Sequence, residues 1–231
     1  FITVKFINKI VNIVRMDHNI INNLNIVKNE VNSMNSKVKI VAVTKTFQVN
    51  KFNILLNNGH IHFGENKVQE AVEKWSDLKS KFENVKLHMI GKLQTNKVKF
   101  ILPLFDYIHS LDNQKLAEKI SIQQDKVKFR PKIFIQVNIG NEPQKSGVNK
   151  GDLESFYKKC IEKYNLEIIG LMCIPPEGED PKIYFKNMLS LNKSLGLNEL
   201  SMGMSNDYIS AIDNGATFIR VGSKIFGERF K

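Results

Sequence analysis

Apolar side chains recur at intervals of three and four residues through the N-terminal segment of the chain. They are Ile10, Val11, Val14, Ile20, Ile21, Leu24, Ile26, Val27 and Val31. Because residues with this spacing share one face of a helix, the pattern predicts a long N-terminal helix. Asparagine and serine residues between Asn32 and Ser36 predict its end.

From Val38 onward, short runs typical of strands alternate with helical patterns. The predicted strands cover residues 38–43, 60–63, 86–90, 107–110, 132–138, 167–174, 199–202 and 217–221. The predicted helices between them cover residues 51–57, 67–81, 96–102, 114–123, 152–164, 181–195 and 207–213. Several of these strands are β-branched on both faces, which is typical of a parallel sheet that is covered on both sides.

Eight strand–helix units in 231 residues predict an α/β fold, a (β/α)8 barrel of the TIM type. A doubly wound open sheet is the alternative, because it has the same alternation of strands and helices. Little sequence follows the eighth strand, so we expect the N-terminal helix to cover the barrel where a last helix would lie. We find no internal repeat or linker and expect a single domain, with an N-terminal helical segment at 1–36 and the barrel proper at 37–231.

The formal net charge of +11 at pH 7 is compatible with a nucleic acid or an anionic ligand as partner. The lysines are spread along the chain, arginines are few, and no zinc-finger or RNA-binding motif occurs, so we expect no nucleic-acid partner. Cys160 and Cys173 lack metal-ligand spacing, which predicts a reduced, cytoplasmic protein without a metal site. No apolar run reaches the roughly 18 residues of a membrane span, so we expect no membrane association.

Lys45 closes the apolar run that begins at Val38, and it is the first candidate for chemistry. Removal of an ammonium group from water lowers the pKa of lysine and makes its amine a nucleophile toward carbonyl groups. Lys45 is therefore a candidate Schiff-base lysine. The alternative is a lysine at a strand end whose side chain simply reaches solvent.

The loops after strands seven and eight commonly bind phosphate in a (β/α)8 barrel. After the seventh predicted strand, Gly203 permits a tight turn and Ser205 precedes a short helix. After the eighth, Gly222 and Ser223 offer backbone N–H groups beside a hydroxyl. Such donors suit a phosphate dianion, although Ser205 is equally suited to capping its own helix.

Arg220 and Asn66 are two further candidates. Alternation places Arg220 on the same side of the eighth strand as Gly222, and a buried arginine needs an acceptor. A pyridine ring nitrogen would serve and would then stay unprotonated, whereas a salt bridge to an acidic residue is the alternative. Asn66 follows the second strand and could reach a ring substituent such as a phenolic oxygen.

The histidines give no comparable signal. His60 and His62 are predicted to share a strand face but lack a third metal ligand, and His88 and His109 lie in or at the end of separate predicted strands. We expect them to be core or rim residues with satisfied hydrogen bonds.

Several segments together match one family, in order, from about Val38 to the end. The matching segments cover residues 42–46, 63–66, 88–97, 135–138, 145–148, 170–172, 201–205 and 220–227. The chain resembles the pyridoxal-phosphate homeostasis proteins, also called proline-synthase co-transcribed proteins. Lys92 and Thr95 replace the more usual His and Ser of their loop, which leaves the role of that loop open.

This resemblance implies an alanine-racemase-like barrel that holds pyridoxal 5′-phosphate (PLP) as a Schiff base. The site residues that it implies are Lys45, Asn66, Met204, Ser205, Arg220, Gly222 and Ser223. Of these, Ser205, Gly222 and Ser223 would contact the phosphate, and Arg220 would face the ring nitrogen. The implied function is vitamin B6 homeostasis without robust catalysis, in which the protein buffers the cofactor or delivers it to apo forms of PLP enzymes, as a monomer or weak dimer.

A PLP-dependent amino-acid racemase with weak activity is the alternative function. The racemases that share this fold obtain a second base, a tyrosine, from an additional β-domain across a dimer. The printed sequence continues only to Lys231, so we expect that domain to be lacking and any racemase activity to be weak.

Overall fold

The computed structural model describes residues 2–228 as one closed barrel of eight parallel strands. The strands are Lys39–Val43 (β1), His62–Glu65 (β2), Lys86–Met89 (β3), Tyr107–Leu111 (β4), Lys132–Gln136 (β5), Ile168–Met172 (β6), Glu199–Met204 (β7) and Phe218–Val221 (β8). Each strand pairs with the next, and β8 closes the barrel on β1 with Ala42 opposite Val221. The (β/α)8 barrel is therefore confirmed, and the open doubly wound sheet is wrong.

The helices form a ring around the strands. They are Ile2–Asn35 (α1), Val49–Asn57 (α2), Val68–Lys81 (α3), Val98–Ile101 (α4), Gln114–Val127 (α5), Leu153–Glu162 (α6), Pro181–Ser194 (α7), Tyr208–Asp213 (α8) and Ser223–Phe226 (α9). The bulk of the core lies between this ring and the outer face of the barrel. A smaller apolar cluster of Val41, Phe134, Met172 and Phe218 lies inside the barrel.

The N-terminal helix α1 covers the barrel beside the short last helix, as expected. Ile20, Leu24, Val27 and Val31 are buried at helical spacing. The Asn23 side chain donates a hydrogen bond to the carbonyl oxygen of Ile225 in α9 (3.0 Å). Because α9 has only four residues, α1 supplies the apolar face that a full eighth helix would supply.

The second strand begins two residues later than predicted. The backbone N–H of His60 donates to the carbonyl oxygen of Leu55, and Gly59 takes a positive φ of 73°, so His60 still belongs to the turn that ends α2. Gly64 and Glu65 lie within the strand instead of following it. A side chain at Gly64 would come within 2.9 Å of Val41 Cγ1, so the barrel interior has no room for one there.

Within the described residues, no helix combines the length and the apolar character needed to cross a membrane. Over the same part of the chain, no group of three or more histidine, cysteine, aspartate or glutamate side chains is placed to hold a metal ion.

Candidate active site at the carboxyl ends of the strands

Lys45 lies two residues beyond β1, in a turn at the carboxyl end of the barrel. Val41 belongs to the cluster inside the barrel, so the alternation of β1 carries Val43 and then Lys45 toward the interior side. The Lys45 side chain is half-buried and Thr44 beside it is fully buried. Thr46 follows with a positive φ of 68°, which turns the chain sharply away toward α2.

Lys74 of α3 fixes this turn from outside the barrel. Its ammonium group donates to the carbonyl oxygens of Thr44 (2.9 Å) and Phe47 (3.2 Å), which bracket Lys45 in sequence. The same ammonium pairs with Glu65 Oε1 (2.6 Å) and Glu70 Oε1 (2.8 Å). The backbone that carries Lys45 is thus held by a cation that is itself held by two carboxylates.

Glu65 is fully buried at the end of β2 and completes this arrangement. Its Oε1 also accepts hydrogen bonds from Thr44 Oγ1 (2.7 Å) and Trp75 Nε1 (3.1 Å). Burial raises the pKa of the Glu65 carboxyl, and the hydrogen bond from Lys74 opposes that rise. Sequence reasoning missed this role, because Glu65 was placed after the strand and not on its outward face.

Ser205 and Gly222 meet where the loops after β7 and β8 come together. Ser205 Oγ accepts hydrogen bonds from the backbone N–H groups of Gly222 (3.2 Å) and Lys224 (3.4 Å). The alternative in which Ser205 caps its own helix is therefore wrong, because α8 begins after Asp207 and Ser205 bonds the other loop. Ser223 is exposed at the start of α9 in the same corner.

The loop after β7 depends on Gly203. This residue has a φ of 90°, and a side chain there would lie 2.6 Å from Ala211 Cβ. Glycine alone fits both conditions without strain. Met204, which follows it, has a partly exposed side chain at the rim of the barrel.

Arg220 is buried in β8, with a side chain directed into the barrel. Its Nη1 donates to Ser201 Oγ (2.7 Å) and its Nη2 donates to the carbonyl oxygen of Cys173 (2.9 Å). Among residues 18–228 no carboxylate lies within ion-pair distance of this guanidinium, so a structural salt bridge is wrong for Arg220. Burial lowers the pKa of Arg220, but the ordinary pKa of an arginine is so high that the side chain remains charged.

Asn66 directly follows β2, next to the turn that carries Lys45. Its Oδ1 atom is buried and accepts no hydrogen bond from any residue that the structure describes. A buried amide oxygen without a partner is costly, so it is a position where a ligand atom would be stabilising. The backbone of Asn66 also packs closely on Gly91, where a side chain would lie 2.3 Å from the Asn66 carbonyl oxygen.

Three histidines form a feature that the sequence did not predict. His62, His88 and His109 come from neighbouring strands and are hydrogen-bonded in series across the barrel interior. The expectation that these histidines are core or rim residues with hydrogen-bond partners is confirmed, but the sequence did not predict that they bond one another. Their spacing in the sequence gives no helical or strand period, and only the closure of the barrel brings them together.

Two other lysines near this face are placed differently from Lys45. Lys92 is exposed in the loop after β3, where Thr95 begins a short helical turn. Lys145 pairs with Glu142 (2.6 Å) and donates to the carbonyl oxygen of Pro175 (3.0 Å).

Four features therefore lie at or just inside the carboxyl ends of neighbouring strands. Because β1 pairs with both β2 and β8, the ends that carry Lys45, Asn66 and Gly222 are adjacent. The set comprises an amine, a buried amide oxygen without a partner, a corner of N–H and hydroxyl groups, and a buried guanidinium. It suits a small molecule that has a carbonyl group, an anionic group and a ring acceptor.

Residues 17–229 match the sequence model of the alanine racemase N-terminal domain. Proteins named "Pyridoxal phosphate homeostasis protein" are similar over most of this chain. That of Aquifex aeolicus is 38% identical over 83% of this chain and 87% of its own length, and that of Haemophilus influenzae is 34% identical over 91% and 96%.

Solved structures give the same result. PipY of Synechococcus elongatus, in the form with PLP bound, superimposes with a TM-score of 0.82 at 32% identity, over 90% of this chain and all of that one. Alanine racemase of Clostridium difficile reaches a TM-score of 0.71 at 14% identity, over 93% of this chain and 58% of that one, which shows a shared barrel fold. The chain belongs to the pyridoxal phosphate homeostasis protein family, within the alanine racemase N-terminal domain family.

Proposed function

We propose that this chain binds PLP at the carboxyl ends of its strands, with Lys45 as the attachment point, and that it serves vitamin B6 homeostasis. The observation that carries the proposal is the contact between Ser205 and the Gly222 N–H, which joins the two phosphate-binding loops of a barrel beside the strand that leads to Lys45. The names of its relatives and the PLP-bound structure of PipY support it.

The residues present fit each part of the cofactor. Ser205, Gly222 and Ser223 would hold the phosphate with hydroxyl and backbone donors. Arg220 would donate to the ring nitrogen, and the amide nitrogen of Asn66 would donate to the phenolic oxygen. Met204 would lie at the rim, where its side chain is partly exposed.

When bound, PLP supplies an aldehyde that reacts reversibly with amines and a ring that serves as an electron sink once its nitrogen is protonated. Arg220 controls the second property. A guanidinium donates hydrogen bonds but does not give up its proton, so it stabilises an unprotonated ring nitrogen. This weakens the electron sink and favours storage over turnover.

Lys45 would supply the amine, and its backbone is positioned by Lys74 through the carbonyl oxygens of Thr44 and Phe47. These two hydrogen bonds hold the turn from outside the barrel, independently of the Lys45 amine. Reversible attachment on a fixed turn suits a protein that buffers a reactive aldehyde and delivers it to apo forms of PLP enzymes.

We also propose a cytoplasmic location and a monomeric or weakly dimeric state, with neither metal nor nucleic acid as a partner. Cys160 and Cys173 are buried, and burial raises the pKa of each thiol to about 12, so neither is a reactive thiolate. Chemistry at this site would therefore depend on the cofactor and Lys45.

The proposal is tested by loading the protein with PLP and mixing it with an apo PLP enzyme. We expect the enzyme to gain activity while visible absorbance leaves this protein, and we expect Lys45→Ala to take up and deliver far less cofactor. Lys92→Ala, which changes an exposed lysine, is the matched control and should behave like the unaltered protein.

The same preparation distinguishes a carrier from a racemase. L-alanine is incubated with the loaded protein in deuterated water, and loss of the α-proton is followed by NMR. Exchange at about one event per second or faster, a rate typical of enzymes, would contradict the carrier function.

A further inference from the structure

A continuous hydrogen-bonded chain crosses the interior of the barrel and ends on Arg220. His62 Nδ1 lies 2.9 Å from His88 Nε2, and His88 Nδ1 lies 2.9 Å from His109 Nε2. His109 Nδ1 lies 2.7 Å from Ser201 Oγ, which accepts a hydrogen bond from Arg220 Nη1 at 2.7 Å. The chain thus links β2, β3, β4, β7 and β8 through side chains alone.

The two ends of this chain differ, and the difference sets its direction. Arginine can only donate, so Ser201 Oγ accepts from Arg220. Among the described residues, Ser201 Oγ has His109 as its only other partner, so its hydroxyl proton points to His109 Nδ1. Because Nδ1 of a neutral imidazole can accept a hydrogen bond only when the ring proton is on Nε2, His109 carries its proton on Nε2.

The same reasoning passes along the chain. His109 Nε2–H donates to His88 Nδ1, and His88 Nε2–H then donates to His62 Nδ1. All three rings therefore carry their proton on Nε2. Every hydrogen bond then points the same way, with the donor nearer Arg220 and the acceptor farther from it.

The opposite direction leaves a group unsatisfied. If His109 carried its proton on Nδ1, Ser201 Oγ would accept from both His109 and Arg220, and its own proton would have no acceptor within the described part of the chain. An unpaired donor at a site that is fully buried costs the full desolvation penalty of the group. The direction away from Arg220 gives the Ser201 hydroxyl an acceptor and pairs both ring nitrogens of His109 and His88.

The rings are held in place by neighbouring aromatic side chains. His88 stacks on Tyr107, with centroids 4.3 Å apart and planes 7° apart. His109 stacks on Phe134 at 4.4 Å. Both imidazoles are fully buried, so neither ring can turn over freely and exchange the places of Nδ1 and Nε2.

We infer that Ser201, His109, His88 and His62 are positioning residues that stabilise the Arg220 guanidinium through an oriented chain of neutral groups, in place of a carboxylate. A carboxylate would neutralise the charge of Arg220, whereas the chain of neutral groups leaves the guanidinium charged and fixes its orientation. Hydrogen bonds that point in one direction polarise one another, so the chain is stronger than its separate links. The consequence for a ring nitrogen at Arg220 rests on the proposed cofactor site; the chain itself does not.

Burial supports the neutral state of the rings. It lowers the pKa of His62 to about 4 and the pKa of both His88 and His109 well below the usual value. The three imidazoles are therefore uncharged at neutral pH, as a chain of alternating donors and acceptors requires.

The direct test is a long-range proton–nitrogen NMR correlation on protein that contains 15N-labelled histidine and no cofactor. Such spectra distinguish a proton on Nε2 from one on Nδ1. We expect His62, His88 and His109 all to carry the proton on Nε2. A proton on Nδ1 of His88 or His109 would overturn the inference, and this result does not depend on whether PLP binds.

A variant tests the link to Arg220. Ser201→Ala removes the shared oxygen, and we expect PLP affinity to fall about tenfold or more, because the lost hydrogen bond involves a charged group. We also expect His109 to lose its single tautomer in the spectrum. Ser201→Thr, which keeps the hydroxyl, should restore the spectrum and most of the affinity.

The matched control is His60→Gln. His60 is also buried, but its Nε2 bonds the backbone oxygen of His62 and it lies outside the chain. This variant should leave the tautomers of the other three histidines and the PLP affinity unchanged. If Ser201→Ala keeps both the His109 tautomer and the affinity of the unaltered protein, the chain does not act on Arg220. If no variant folds, the spectrum of the unaltered protein still decides the direction.

Discussion

Two cations are buried on opposite faces of the same barrel wall. Lys74 lies on the outer face, between α3 and the strands, where it pairs with Glu65 and Glu70. Arg220 lies on the inner face, where it donates to Ser201 Oγ and to a backbone carbonyl oxygen. The first cation is neutralised by carboxylates, and the second has none among the described residues.

The two cations therefore have different roles: Lys74 stabilises the fold through ion pairs, whereas the charge of Arg220 can still interact with a ligand. An ion pair in a buried setting is costly to break, because removal of one partner leaves the other charged and unsolvated. Lys74 therefore fixes the turn that carries Lys45. Arg220 is satisfied by neutral acceptors that hold its position but leave its charge, so it still favours an electron-rich partner.

The largest expected effect is on the neutralised cation. Lys74→Met leaves Glu65 buried without its partner, so we expect the free energy of unfolding to fall by about 3–5 kcal/mol. Urea unfolding of the cofactor-free protein measures this loss. Adding Glu65→Gln should recover part of it, because the uncompensated charge is then removed.

Lys158→Met is the matched control for that experiment. Lys158 forms an ion pair with Glu154 on the exposed face of α6, with both side chains more than half exposed. Exposed pairs are screened by water, so we expect no measurable change in stability. A similar loss in both variants would show that the Lys74 pair has no special role.

The loops that carry Ser205 and Ser223 should show the next effect, on PLP binding and far less on the stability of the fold. Ser205→Ala together with Ser223→Ala removes two donors to a dianion, each worth roughly 1.5–3 kcal/mol. We expect PLP affinity to fall on the order of a hundredfold or more, with the unfolding of the cofactor-free protein changed much less. Equilibrium binding followed by absorbance measures the affinity. Unchanged affinity would place the phosphate elsewhere.

The smallest expected effect concerns acid. Burial lowers the pKa of His109 well below its usual value. Between this lowered pKa and about pH 6.5, the unfolded chain therefore binds a proton that the folded chain does not. Stability is therefore present above about pH 6.5 and is lost as the pH falls below it, by about 1.4 kcal/mol per pH unit for each such histidine. His109→Phe should reduce this slope by about that amount.

Urea unfolding at a series of pH values between 6.5 and 5 measures the slope. His18→Phe is the matched substitution at a histidine that is exposed on α1. An equal slope in the unaltered protein and in His109→Phe would mean that His109 titrates alike in the folded and unfolded chains.

The barrel was predictable because its signal is local. Each strand is a short apolar run, and the alternation with helical patterns appears within a few residues of any position. The errors lie at boundaries that depend on hydrogen bonds. The sequence does not show that His60 bonds back into the turn after α2, and so Glu65 was assigned to a loop instead of the second strand.

The candidate site was predictable only in part. Lys45, Ser205 and Gly222 could be selected because barrel topology places the ends of successive strands on one face. The partners of Arg220 could not be selected, since Ser201 and His109 are 92 residues apart and meet only when the barrel closes. Nor does the sequence show that Lys74, one of the lysines of α3, bonds the turn around Lys45.

The most direct measurement of the central claim is reduction of the PLP-loaded protein with borohydride, followed by proteolysis and mass mapping. We predict one pyridoxyl group, on the peptide that contains Lys45, and no labelled peptide in Lys45→Ala. A pyridoxyl group found instead on Lys74, Lys92 or Lys145 would contradict the account.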